Sequence, residues 1–192
     1  IPLLTRVDAL VVHGTLAGCV AAYTAARNQL ETVLISSSCS LPHEIVVCRR
    51  PWARNEQLDQ LQEPFRTAFQ ESVFLITKTG EQLMNLSQLA IRIEDLLLDA
   101  GVRIFYGMTP SGVVRVSGAR LHGVVFGGKF GLNAIAADRI IDATPTALVS
   151  ALAGQPAVAR NAGAGVVGVT VSAKVNVKEG PDPEPDPLVR RT

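Results

Sequence analysis

The sequence has almost no net charge, no cysteine framework and no internal repeat, and each absence removes a class of function. Lysine and arginine number 18 against 17 aspartates and glutamates, a net charge of +1. That balance offers no strongly basic face, so nucleic acid is not an expected partner. The basic groups at Arg49, Arg50 and Arg54 and at Arg190 and Arg191 are short enough to read as solvated surface. Cys19, Cys39 and Cys48 are an odd count without framework spacing. Cys39, His43 and Cys48 match no zinc-ligand pattern, and no metal is expected. No G-x-S-x-G elbow is present. His13 and His122 lack a nucleophile or orienting carboxylate at a recognisable spacing, so no catalytic residue is legible. The uncharged stretch from Ala9 to Ala26 approaches the length of a membrane span. His13, Gly14, Thr15 and Gly18 interrupt it, and the flanking basic residues of a signal peptide are missing, so no span is expected. The chain opens on Ile1 rather than Met, which suggests that the natural N-terminus lies elsewhere.

What is present is a packed core. Of 192 residues, 47% are hydrophobic and 18% charged, enough for one domain or somewhat more. Val7 to Val12 is a continuous apolar run, as expected of a parallel strand buried on both faces. Leu16 to Asn28 carries Ala, Val and Tyr at helical spacing, with Cys19 as a small buried thiol on its Ala-rich face. Thr32 to Ile35 is a second apolar strand. Together they make one βαβ unit of about 30 residues.

Downstream, "EIVVCRR" (44–50) reads as a short strand ended by Pro51. Trp52, beside Arg49 and Arg50, suits a partner surface or a tucked-in loop. Asn55 to Gln70 reads as an amphipathic helix with Leu58, Leu61, Phe65 and Phe69 inward and a possible break at Pro64. Ser72 to Lys78 and Glu81 to Asn85 read as a hairpin turning at Gly80. Ser87 to Ala100 is the clearest helix, with Ser87 as N-cap, apolar Leu89, Ile91, Ile93, Leu96 and Leu97, and Gly101 just past its end. From there the period switches to two. Val102–Tyr106, Gly112–Val116, Leu121–Phe126 and Leu132–Ala136 read as the strands of a meander. Asp138 to Asp142 is a further buried strand, and Thr146 to Ala153 a short helix. Val166 to Val177 reads as a long exit strand, and "KEGPDPEPDP" (178–187) as a stiff acidic linker. The expected division is a domain over residues 1–157 and an exit strand with linker over 158–192. The fold class expected is α/β, a Rossmann-like three-layer domain whose parallel sheet combines Val7–Val12, Thr32–Ile35, Val102–Tyr106 and Asp138–Ile141 with the meander.

Three stretches in order, "VDALVVHGTLAGCVAAYTAARNQLETVLIS", "LLLDAGVRIFYGMTPSGVVRVSGARLHGVVF" and "AADRIIDATPTALVSALAG", resemble the FAD-dependent oxidoreductases that carry a Rossmann-like FAD-binding domain. The resemblance covers roughly Val7 to Pro156 and implies FAD as cofactor. It places the cofactor against Gly14, Thr15, Gly18, Ser36, Val113 and Thr144. Each of the family's three cofactor-facing places departs from pattern. The G-x-G-x-x-G glycines fall on His13, Thr15 and Gly18. The third glycine, for close helix–strand packing, is kept, whereas Thr15 puts a β-branched side chain where a pyrophosphate would lie. The acidic residue at the end of the second strand falls on Ser36, which lacks a two-oxygen acceptor. The family's Ala-Thr-Gly after the last strand becomes Ala143-Thr144-Pro145.

Two readings follow from the resemblance. In the first, the chain is a degenerate FAD-domain homologue with FAD binding weak or lost, acting as a structural or partner-binding subunit of a complex. In the second, it is one half of a split or processed FAD-dependent oxidoreductase whose substrate domain is another chain. Both expect a protein partner, because the chain stops where the family's second domain would begin.

Overall fold

A computed structural model of the chain describes residues 1–115 and 121–155. The expected exit strand, the proline-rich linker and the boundary at residue 157 lie outside the described residues.

The chain begins with strand β1 (Leu3–Val12), helix α1 (Leu16–Arg27) and strand β2 (Thr32–Ser36). β1 and β2 pair in parallel, Ala9 opposite Thr32 and Val12 opposite Ile35. Leu10, Val11, Val12, Val33, Leu34 and Ile35 are all fully buried. Burial on both faces removes the need for alternation, and the apolar runs are continuous for that reason. β6 (Arg103–Tyr106) adds to the far side of β2, and β9 (Gly131–Asp142) to the far side of β1, both in parallel. β7 (Thr109–Arg115) and β8 (Leu121–Gly128) continue the sheet antiparallel, giving the order β6-β2-β1-β9-β8-β7.

The stretch 102–106 takes its expected place in the parallel sheet, at the edge beside β2, and so is not also a strand of the meander. One expectation is corrected here. Leu132–Ala136 and Asp138–Asp142 are one strand, β9, which pairs with β1 from Ala134 to Asp142 and with β8 only over residues 131–136.

The parallel strands separate two cores. On one face, Val11 and Leu34 pack with Cys19 and Ala22 of α1 and with Leu89, Ile93 and Leu97 of a second long helix. On the other, Leu10, Val12, Val33 and Ile35 pack with Val124, Phe126 and Ile135 of the antiparallel strands and with Val149. The result is a three-layer arrangement of helices, parallel strands and meander.

Between β2 and β6 lies an insert. A π-helical turn (His43–Val47) is followed by β3 (Trp52–Arg54), α2 (Asn55–Leu58), α3 (Phe65–Gln70), β4 (Val73–Ile76), β5 (Glu81–Met84) and α4 (Leu86–Asp99). Residues 44–47, expected in a strand, are helical instead: Pro42 opens the turn and Cys48 N–H closes it onto His43 C=O. The expected helix over 55–70 is two short helices broken before Pro64, with Leu58, Phe65 and Phe69 buried as anticipated. The hairpin forms as expected, Gly80 taking a φ of 80° at its turn, and β3 joins it to give a small sheet of order β3-β5-β4.

The cap of α4 is Asn85, whose side chain accepts from the Ser87 and Gln88 amides, so Ser87 is a capped residue rather than the cap. Ile91 lies on the solvent face and is exposed, since it sits two residues off the Leu89–Ile93–Leu97 stripe. After β9 a short helix, α5 (Leu148–Leu152), ends the described chain.

Candidate functional site

The C-terminal ends of β1, β2 and β9 form one edge, where open α/β sheets hold their ligands. Leaving β1, the backbone turns sharply at His13, whose φ of 88° is the left-handed conformation that a glycine adopts without strain. His13 accordingly keeps the turn that the fingerprint's first glycine would make, and its N–H donates to Ile35 C=O at 2.7 Å. Thr15 is the N-cap of α1. Its Oγ1 accepts from the Gly18 amide at 3.1 Å and donates to Ala143 C=O at 3.2 Å. Gly18 is needed for packing, because a Cβ there would stand 2.2 Å from His13 O.

The segment after β2 folds back across this turn. Ser36 is fully buried, and its Oγ lies 2.8 Å from Ser38 Oγ. Leu41 is also fully buried and packs on Gly14, where a Cβ would meet Leu41 Cδ2 at 2.1 Å and Ser36 Oγ at 3.1 Å. The His43 amide donates to Gly14 C=O at 2.8 Å. One residue on, Glu44 Oε1 accepts from the Leu16 amide at 2.8 Å. A carboxylate therefore sits on the first turn of α1, where unpaired amides and the helix dipole favour an anion. The imidazoles of His13 and His43 lie 4.8 Å apart at 50°. Burial lowers the pKa of His13 and His43 lowers it further, against a smaller pull upward from Glu44 and Asp142.

β9 supplies the third side. Asp142 Oδ1 accepts from Thr144 N at 3.1 Å and Oγ1 at 2.6 Å, while Oδ2 accepts from Ser150 N at 2.8 Å and Oγ at 3.0 Å. Burial works against the Asp142 charge, yet these hydrogen bonds outweigh it and hold its pKa below the usual carboxylate value. Thr144 Oγ1 also accepts from Leu148 N at 2.7 Å, so Thr144 builds the entry to α5. Pro145 is exposed beside it.

Of the residues expected to face a cofactor, Gly14, Thr15, Gly18, Ser36 and Thr144 thus gather at one sheet edge. Val113 lies on β7, in the antiparallel half of the sheet, and packs against the core cluster that contains Leu10, Val12 and Ile35. His122 is on β8, in the antiparallel half. Cys39 and Cys48 are exposed and free, and burial, aided by the nearby Glu44, pushes the Cys19 thiol up to about 12. Sequence reasoning missed Leu41 and Glu44, the two side chains that fill the turn. The available signal was Pro42 followed by an acidic residue two positions later, a helix-start pattern inside the stretch read as a strand.

A parallel βαβ start, an anion seat on its helix terminus and an antiparallel return through β9 define the Rossmann-like dinucleotide-binding class. The sequence profile of the FAD dependent oxidoreductase family matches residues 8–179. The chain belongs to that family. Solved structures agree in fold. THI4 of Thermovibrio ammonificans is 22% identical with a TM-score of 0.56, over 77% of this chain and 61% of that one. A geranylgeranyl bacteriochlorophyll reductase-like protein of Thermoplasma acidophilum is 16% identical with a TM-score of 0.56, over 78% and 42%. CabE, an aromatic hydroxylase from angucycline biosynthesis, is 15% identical with a TM-score of 0.59, over 77% and 33%. The matched region thus spans between a third and three fifths of these proteins' own length. No curated protein sequence matches the chain.

The family implies FAD, and the turn residues do not fit its pyrophosphate in the arrangement they hold. The Leu16 amide is bonded to Glu44, the Gly18 amide is bonded to Thr15, and Leu41 fills the space over Gly14.

Proposed function

We propose that this chain is a degenerate FAD-binding domain, one that keeps the family's architecture as a structural or partner-binding subunit and holds FAD weakly or not at all. The observation that carries the reading is the pair of occupied amides on α1, satisfied by Glu44 and Thr15 of the chain itself. Each charge-assisted bond that a pyrophosphate forgoes is worth roughly 1.5–3 kcal/mol, and every 1.4 kcal/mol is tenfold in affinity. Ser36 spends its hydroxyl on Ser38 and offers no carboxylate to a ribose. A partner role is supported by the small sheet, where Trp52, Leu83 and Leu75 form one cross-strand row with Trp52 and Leu75 about half exposed. Phe74 and Ile76 on the same edge strand are more exposed still. Phe74 and Ile76 alternate with Leu75 along that strand, and exposed apolar surface marks a docking site where it is contiguous over a few hundred Å².

The test is optical. The purified protein, with whatever co-purifies, is expected to be colourless and to show no saturable FAD binding at micromolar concentration. The combined variant His13→Gly, Thr15→Gly, Ser36→Glu and Pro145→Gly is expected to bind more tightly. A yellow wild-type protein overturns the reading.

A second reading has an observation in its favour. Because the chain spans only 61%, 42% and 33% of the three relatives, it also suits one half of an FAD-dependent oxidoreductase completed by another polypeptide. The isoalloxazine would then carry the hydride chemistry, with this half positioning the nucleotide. FAD bound stoichiometrically by the reconstituted pair, and by neither chain alone, would favour it.

A further inference from the structure

We infer that the segment Leu41–Val47 is a displaceable plug in the nucleotide crevice, with the Glu44 carboxylate standing in for a phosphate. The inference rests on the reading that the crevice does not hold FAD in the family's manner, and it goes on to say what holds the crevice closed. Three contacts seat the plug. Leu41 covers Gly14, the His43 amide bonds Gly14 C=O, and Glu44 Oε1 bonds the Leu16 amide. Each takes a feature that a dinucleotide would use: the glycine surface, the turn backbone and the helix-terminal amide.

The seat is also imperfect. Glu44 Oε2 and His43 Nδ1 are buried without a hydrogen-bond partner among the described residues. A buried polar atom left unpaired carries a desolvation cost, so the closed arrangement holds against a standing penalty. Only one of the two Glu44 oxygens is rewarded. The π-helical turn that carries Glu44 has no fully buried residue of its own, and only the half-buried Ile45 and Val46 pack it against the core. Leu41, the His43–Gly14 bond, the half-buried Ile45 and Val46 and the single charge-assisted bond to Leu16 are what the crevice must lose to open.

ADP, the half of the dinucleotide that lies against this edge, is the probe. In wild-type protein at moderate salt, ADP is expected to bind weakly by calorimetry, and the Leu16 amide to be protected from hydrogen exchange. Glu44→Ala is expected to tighten ADP binding at least tenfold and to speed Leu16 exchange at least tenfold while the Leu89 amide is unchanged. Glu56→Gln, which removes an equal charge from an exposed site on α2, is expected to leave ADP affinity as it was. If the alanine variant does not fold, Glu44→Gln preserves the packing, and a threefold or greater gain in ADP affinity carries the same conclusion. A smaller gain, no binding by either protein, or an equal gain in Glu56→Gln overturns the plug. The two readings fail separately. Colour in the wild-type protein bears on the lost FAD site, and only the ratio of variant to wild type bears on the plug.

Discussion

The imidazoles of His13 and His43 meet at 4.8 Å, tilted by 50°, over the turn that ends β1, one on the strand's own exit and the other on the segment folded across it. Burial and this neighbour hold His13 below its ordinary pKa, so its neutral form is favoured in the fold. The unfolded chain, with a histidine near 6.5, takes up the proton first. Stability contributed by neutral His13 is therefore complete above about pH 6.5, and is lost as pH falls from there toward the lowered folded value. Thermal unfolding followed between pH 8 and 5 is expected to show a declining midpoint. His13→Asn, which tolerates a positive φ, should decline less over that range. An equal decline in both proteins would place the effect elsewhere.

Asp142 ties the end of β9 to α5 through four hydrogen bonds to Thr144 and Ser150. Asp142→Ala is expected to cost about 1–3 kcal/mol, seen as a lower urea midpoint at unchanged slope. Since the folded pKa is depressed, the carboxylate's contribution is present above the unfolded value of about 3.9. It is lost as pH falls below that, so wild type and variant should converge in acid.

Gly14 and Leu41 occupy one volume, and their substitutions should couple. Leu41→Ala alone removes a fully buried side chain, at about 2–5 kcal/mol. Gly14→Ala alone forces its new methyl onto Leu41 Cδ2, at about 1–3 kcal/mol. The double variant should cost less than the sum by about 1 kcal/mol or more, measured as a double-mutant cycle in urea. Strict additivity would mean that Leu41 does not sit on the turn.

The three thiols should separate cleanly. Cys39 and Cys48 are exposed, whereas Cys19 is buried on α1 with its thiol pushed up to about 12. A thiol-alkylating reagent at pH 8 should modify two cysteines in the native protein and the third only in denaturant, counted by intact mass. Rapid modification of Cys19 in the native state would contradict its burial.

The legible parts of the fold were those with a local cause. The apolar runs of β1 and β2, unbroken by alternation, announced a doubly covered parallel pair, and Gly101 marked the end of α4. β9 was read as two strands because its surroundings change midway: residues 131–136 face β8 and residues beyond 137 have β1 alone as their ladder partner, so its pattern changes with them. Ile91 is apolar like its neighbours, and only the stripe geometry sets it aside. The cofactor-facing turn was legible in position but not in content. Thr15 is expected from the sequence as an obstruction to a pyrophosphate, and its place in the fold is the helix cap. Glu44 was invisible because its partner lies 28 residues away, a contact that no local spacing encodes.

β1 is flanked by β2 on one side and by β9, the last described strand, on the other. During synthesis the first strand leaves the ribosome with one of its two edges unpaired. It stays so until residues 134–142 emerge, on the order of 10 s later at 5–20 residues per second. For that interval the nascent chain presents Leu10, Val11 and Val12 on an open ladder, the kind of template that recruits other strands. The interval before Asp142 emerges is therefore when the domain is most open to pairing with other chains, a hazard separate from the stability of the finished sheet.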